Sequence, residues 1–138
     1  MPLSEANAVL VLFAGALGDF LLALPALRLL RRRHAGQRLV LGVRAPLGAL
    51  AERAACADAV AALDDPATAV FLGGGDAPSW WLERPGLYSW FGGDDPDVRG
   101  RLAAHAASAH FLRVERGAGS VHAAAAYAAS IGEMRSWE

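Results

Sequence analysis

The apolar positions alternate between short solid runs and helical stripes from one end of the chain to the other. Residues 8–13 (Ala-Val-Leu-Val-Leu-Phe) form a continuous apolar run of strand length, the pattern of a central parallel strand covered on both faces. Gly15 and Gly18 break it, and 19–34 reads as a helix, apolar all round for two turns and then basic, so that its start is buried and its end solvated. Pro25 lies inside that helix and should kink it, because it has no N–H for the Leu21 carbonyl. Residues 38–44 make a second strand, and Pro46 opens a helix whose inward stripe is Leu47, Leu50, Ala51 and Ala54. A third strand at 59–63 ends on the turn signal Asp64-Asp65-Pro66. Further strands are expected at 69–72, followed by three glycines, at 87–91 and at 110–114. Asp95 and Pro96 read as the N-cap and first residue of a helix reaching about Ser108. Ser120 caps a last one, with Val121, Ala124, Ala128 and Ile131 on one face and Gly132 as its stop.

Strands alternating with helices at this spacing predict an α/β fold, a Rossmann-like doubly wound, mostly parallel sheet. The expectation is about six strands, the first of them central, with helices on both faces. A chain of 138 residues suits one such domain. Its hydrophobic content of 54% supports a core, although about thirty of these residues are alanine, which favours closely packed helices over a bulky interior.

Charge and cysteine narrow the function classes. All 13 basic residues are arginine, and the net charge of −1 argues against a general nucleic-acid binder. The single cysteine, Cys56, cannot form an intrachain disulfide, which suits a cytoplasmic setting. The apolar stretch 8–27 has about the length of a membrane span, but Asp19, Gly15, Gly18 and Pro25 interrupt it, and the acidic opening is unlike a signal peptide.

In a doubly wound sheet, ligands lie at the carboxyl ends of the strands, beside the switch point. The loop 14–19 falls there. A dinucleotide fingerprint would need glycine where Phe13 stands and an acid where Arg44 ends the second strand, and Asp19 occupies the place of a pyrophosphate. A carboxylate beside glycines that admit close backbone approach can instead accept a proton from a sugar hydroxyl. The same position is also that of a helix cap, and both readings stand at this level.

The segment 15–28, Gly-Ala-Leu-Gly-Asp-Phe-Leu-Leu-Ala-Leu-Pro-Ala-Leu-Arg, followed by Leu-Leu-Arg-Arg-Arg-His, resembles the opening of glycosyltransferase family 9, the ADP-heptose:lipopolysaccharide heptosyltransferases and their relatives. The likeness continues through 39–47 and 59–64, and more loosely to the helix at His122. It implies the N-terminal domain of a GT-B fold and transfer of a heptose from a nucleotide-sugar with inversion, without an essential metal or cofactor. The acceptor, a lipopolysaccharide-core-like glycolipid, would be received here, with Asp19 as general base and Gly15, Ala16 and Gly18 lining the acceptor side. Phe13 stands where many members carry Arg or Lys. The resemblance places residue 138 near the interdomain connection, so the family's C-terminal domain, which binds most of the nucleotide-sugar, is expected to be absent from this chain. A 138-residue chain alone is then expected to be inactive.

Weaker signals have two readings each. Arg44 and Gly74, the latter in the Gly73-Gly74-Gly75-Asp76 stretch after an expected strand, are candidate substrate contacts at the same sheet edge. Arg28, Arg31 and Arg32 share a helix face that is either a solvated helix end or a contact with the inner membrane. Trp80 and Trp81 either stack on sugars or pack under their own loop, and Trp90 is expected in the core. His34, His105, His110 and His122 lack metal-ligand spacing, and no metal is expected. His122 could face the cleft or be structural. The rival function is a stand-alone, non-catalytic nucleotide- or sugar-binding module of the same fold; a longer reading frame would favour the transferase.

Overall fold

The computed structural model describes residues 8–113. The last helix expected at Ser120, with His122, lies outside them. Five strands form one all-parallel sheet in the order β3-β2-β1-β4-β5. They are β1 (Ala8–Leu12), β2 (Arg38–Val43), β3 (Ala59–Ala62), β4 (Gly86–Ser89) and β5 (Ser108–Phe111). The first strand is central, as its unbroken apolar run requires, and the fold is Rossmann-like α/β.

The helices are α1 (Leu17–Arg33), α2 (Gly48–Arg53, preceded by a 3-10 turn at Ala45–Leu47), α3 (Pro66–Leu72) and α4 (Pro96–Ala104). The pleat of β1 sorts the core into two layers. Val9, Val11 and Phe13 pack with Phe20, Ala23, Leu27 and Leu30 of α1 and with Leu47 and Ala51. Leu10 and Leu12 face the other way, onto Val40, Leu63, Phe71 of α3 and Leu102 of α4. Helices leading away from β1 towards β3 thus lie on one face, and those serving β4 and β5 on the other. Crossovers of one hand produce this arrangement when strand order reverses beside β1. Ala23 and Ala26, both without exposure, let α1 lie close against the sheet. Phe20 and Leu30 beside them are also fully buried, each contributing about 1.5–3 kcal/mol.

Two elements differ from expectation. Residues 69–72 are the end of α3, and the described residues hold five strands where about six were expected. The cause is local: Asp65 accepts from the Ala67 N–H at 2.9 Å and Pro66 occupies the first turn, so the turn signal is a helix start. Helix α1 begins two residues before Asp19, with Ala16 as its extended N-cap residue, and runs through Pro25 as one element. Boundaries elsewhere shift by a few residues. In β4 the Ser89 hydroxyl curls onto Phe91, donating to its carbonyl at 2.6 Å and accepting from its N–H at 3.0 Å, which ends the strand early.

Candidate functional site

Three loops leave the carboxyl edge of the sheet next to one another, after β1, β4 and β5. They line an open cavity of about 860 Å³. The first loop supplies Phe13, Ala14, Gly15 and Asp19; the segment after β4 supplies Trp90, Gly92, Gly93, Asp94, Asp95 and Arg99; the end of β5 supplies Phe111, Leu112 and Arg113. The connections from β1 and β4 depart in opposite directions, so the cavity occupies the switch point where ligands bind open α/β sheets.

The backbone ladder runs past the formal strand ends and fixes these loops. Phe13 N–H donates to the Gly42 carbonyl at 2.9 Å, Trp90 N–H to Leu12 at 3.0 Å and Leu112 N–H to Ser89 at 2.7 Å. The Phe13 ring then meets Trp90 edge-on, centroids 6.2 Å apart, and Phe20 at 6.0 Å. Gly15 is held between that ring and Asp19, where a side chain has no space. Gly92 adopts φ of 80°, and a β-carbon there would lie 2.6 Å from Val98 Cγ1, so glycine is needed on both counts.

Asp19 is half-buried and lies at the third position of α1. The first intrahelical bond is Phe20 N–H to the Ala16 carbonyl at 2.9 Å, so the amides of Leu17, Gly18 and Asp19 precede the helical ladder, as at any helix start. The cap position belongs to Ala16, which has no side-chain acceptor. Asp19 is therefore not the N-cap residue of α1. Asp95, by contrast, is a true cap, accepting from Asp97 N–H at 3.0 Å and Val98 N–H at 3.3 Å.

Two arginines line the same cavity as the acids. Arg99 lies 4.5 Å over the Phe111 ring and donates to the Gly93 carbonyl at 3.3 Å. Arg113 pairs with Asp94 at 2.5 Å, both largely exposed, a pair worth little on its own. The wall is thus aromatic with polar groups of both signs, which suits a polyhydroxylated ligand.

Of the sequence-derived candidates, Asp19 and Gly15 line the cavity. Ala16 and Gly18 are exposed on the first turn of α1, outside its lining. Arg44 is exposed at the end of β2, and its neighbour Ala45 is tied through its N–H to Asp64 at 2.8 Å. Gly74 follows the helix α3 rather than a strand, so the basis for placing it at the ligand edge is corrected; it does not line the cavity. Trp90, expected in the core, is half-buried and lines the cavity. Trp81 packs under its own loop, tilted on Phe71 and donating from Nε1 to the His105 carbonyl at 3.0 Å. Arg31 is engaged by Asp58 through two bonds of 2.8 and 2.9 Å, whereas Arg28 and Arg32 are exposed.

His34 is buried against Gln37 and Tyr88, and burial holds its imidazole below the ordinary value. Burial likewise pushes the Cys56 thiol up, away from nucleophilic character. Among the described residues no cluster of His, Cys, Asp or Glu could hold a metal ion, and no helix is long and apolar enough to cross a membrane. The residues that sequence reasoning missed, Trp90, Gly92, Gly93, Arg99 and Arg113, all come from the segments that follow β4 and β5, Arg99 from α4. A Gly-Gly-Asp-Asp stretch after a strand was the available signal.

No protein-family model and no curated protein matches the sequence. Among solved structures, the chain is similar to a glycosyl transferase family 9 protein from Veillonella parvula DSM 2008, with a TM-score of 0.64 and 16% identity. The match covers 93% of this chain and 41% of that one, so the chain spans about two-fifths of its neighbour. The likeness shows a shared fold.

Proposed function

We propose that this chain is the acceptor-side, N-terminal domain of an inverting family 9 glycosyltransferase of GT-B architecture. The observation that carries the reading is Asp19, set in the wall of the switch-point cavity at the third position of α1, while the N-cap residue itself is Ala16. The likeness to a glycosyl transferase family 9 structure supports it, as does the motif around Asp19.

In this mechanism the Asp19 carboxylate takes the proton of an acceptor hydroxyl while that oxygen attacks the anomeric carbon of the donor. The bond from the anomeric carbon to the diphosphate breaks at the same time, and the nucleoside diphosphate leaves with the electron pair. The donor is a nucleotide-sugar of ADP-heptose type, held mainly by a second domain; the acceptor is a lipopolysaccharide-core-like glycolipid at the cytoplasmic side of the membrane. Trp90, half-buried over the fully buried Phe13, offers the apolar wall on which a sugar ring packs, and no metal or cofactor takes part.

The test is transfer from ADP-heptose to a lipid A–Kdo acceptor, by these 138 residues alone and by a protein carrying both domains. Turnover is expected only with both, because one wall of a cleft leaves the reacting centre open to water. Robust transfer by the single domain would overturn the division of labour. Transfer by neither, with retained sugar binding, would favour a non-catalytic binding module.

A further inference from the structure

Among the described residues three polar side chains are buried, those of His34, Thr68 and Ser89. His34 joins the end of α1 to Tyr88 of β4, and Thr68 of α3 reaches back to the Ala62 carbonyl at 3.5 Å. Ser89 is the one that directly precedes the cavity wall. Its hydroxyl, in a residue with no exposure, uses both of its roles on Phe91: it donates to the carbonyl at 2.6 Å and accepts from the N–H at 3.0 Å. An extended strand would hold residues 89 and 91 about 6.6 Å apart, so this ring curls the chain around Trp90. Leu112 N–H on the Ser89 carbonyl and Trp90 N–H on the Leu12 carbonyl fix the curl to both neighbouring strands. Trp90 and Phe91 consequently pack against opposite layers of the core, and Trp90, Gly92 and Gly93 line the cavity. The other ties on this segment are longer and nearer the surface: Asp95 N–H to the Gly92 carbonyl at 3.4 Å and the exposed Arg99 to Gly93 at 3.3 Å.

We propose that Ser89 is a positioning residue of the cavity, its buried hydroxyl fixing Trp90 as the platform on which the ligand's sugar packs. Ser89 touches no ligand and acts through Trp90. A side chain held by its supporting shell needs no ordering when the ligand arrives, which favours binding. That the platform meets a sugar rests on the acceptor-site reading of the cavity; that Ser89 sets Trp90 does not.

NMR of the full chain tests this without any ligand. Ser89→Ala should speed hydrogen exchange of the Phe91 amide about tenfold. It should also shift the Trp90 indole N–H resonance, identified by its loss in Trp90→Phe. Ser89→Cys keeps the size with a weaker donor and acceptor, so it should fall between, and it carries the test should the alanine variant not fold. Thr68→Ala removes the other buried hydroxyl and controls for general loosening; it should leave the Trp90 resonance in place. Unchanged Phe91 exchange, an unmoved Trp90 resonance, or one that moves as far in Thr68→Ala would each overturn the proposal. In a protein carrying both domains, Ser89→Ala should raise KM for the lipid A–Kdo acceptor about tenfold and leave kcat within about twofold. In the Trp90→Phe background it should change neither, and a further loss there would overturn the route through Trp90. Absence of transfer by the parent would count against the transferase reading, while Phe91 exchange and the Trp90 resonance still decide the role of Ser89.

Discussion

A β-carbon added to Gly15 would lie 3.0 Å from Cβ of Asp19 and 2.6 Å from Cζ of Phe13. The glycine that opens the first loop is thus the space that lets Asp19 approach the end of β1. Three residues later Gly18 has no atom within 4 Å of its own missing β-carbon. The two glycines look equivalent in sequence and have opposite physical roles.

Gly15→Ala should therefore destabilise the domain by about 1–3 kcal/mol, the usual penalty of overpacking, and displace Phe13 from Trp90. Gly18→Ala should be neutral or stabilising by up to about 1 kcal/mol. Chemical denaturation of both variants checks this. Equal effects would mean that the first loop is looser than its packing indicates.

How far the sequence foretold this arrangement depends on how local each feature is. The central position of β1 was legible because Val9, Leu10, Val11 and Leu12 are all apolar, and only a strand covered on both faces needs that. The error at 69–72 has the same root: a four-residue apolar run carries no periodicity to tell strand from helix. The deciding signal was Asp65-Pro66, identical in kind to Asp95-Pro96, which was read correctly as a cap and first turn. Gly15 and Asp19 were visible as a motif. Trp90, Arg99 and Arg113 were not, because they reach the cavity only when β4 pairs with β1 and β5 with β4. Strand order is a long-range property, and nothing within a few residues of Trp90 records it.

Asp58 clamps the start of β2 to the residues before β3. It accepts from the Leu39 N–H at 2.8 Å, its own N–H donates to the Leu39 carbonyl at 2.8 Å, and it holds the Arg31 guanidinium. Arg31→Gln should cost less than about 1 kcal/mol, as for other partly exposed ion pairs. Asp58→Ala should cost more, about 1–3 kcal/mol, because the Leu39 amide loses its acceptor as well. The order of the two melting temperatures is the measurement, and the reverse order would contradict the clamp.

Mild acid should weaken the fold through its buried histidines. Burial lowers His34 from its ordinary 6.5, with Gln37 opposing and Arg33 adding to the effect; burial also lowers His110, assisted by His34. A histidine with a lowered folded value binds its proton more readily when unfolded. Its contribution is complete above 6.5 and is lost as pH falls through the window below it. Each histidine adds a slope of at most about 1.4 kcal/mol per pH unit. The Asp58 carboxyl, lowered from 3.8 chiefly by its bond from Arg31 and then by that from Leu39, acts separately: its contribution is present above 3.8 and lost below. Denaturation across pH should show a plateau above neutrality and a decline beginning below 6.5. His110→Phe, which keeps a ring stacked 5.2 Å from Tyr88, should make that decline shallower. Stability that rises on mild acidification would exclude this account.

Asp19 offers the sharpest separation of structure from chemistry. At the third helical position its charge favours the positive end of the α1 dipole, an effect of about 0.3–1 kcal/mol. Asp19→Asn removes the charge but keeps the size, so the stability loss should not exceed that range. Asp19→Ala removes the side-chain oxygens as well, so its further loss of stability beyond the Asn variant measures what they hold at the helix start. If Asp19 is the base, turnover in a protein carrying both domains should fall by about two to four orders of magnitude in both variants, since neither amide nor methyl can take the hydroxyl proton. Binding of the acceptor alone should change far less, because the cavity wall formed by Trp90 is untouched. Melting temperature, acceptor affinity and turnover measured together distinguish the cases. A stable Asn variant that turns over like the parent would leave Asp19 as a dipole partner and remove it from the mechanism.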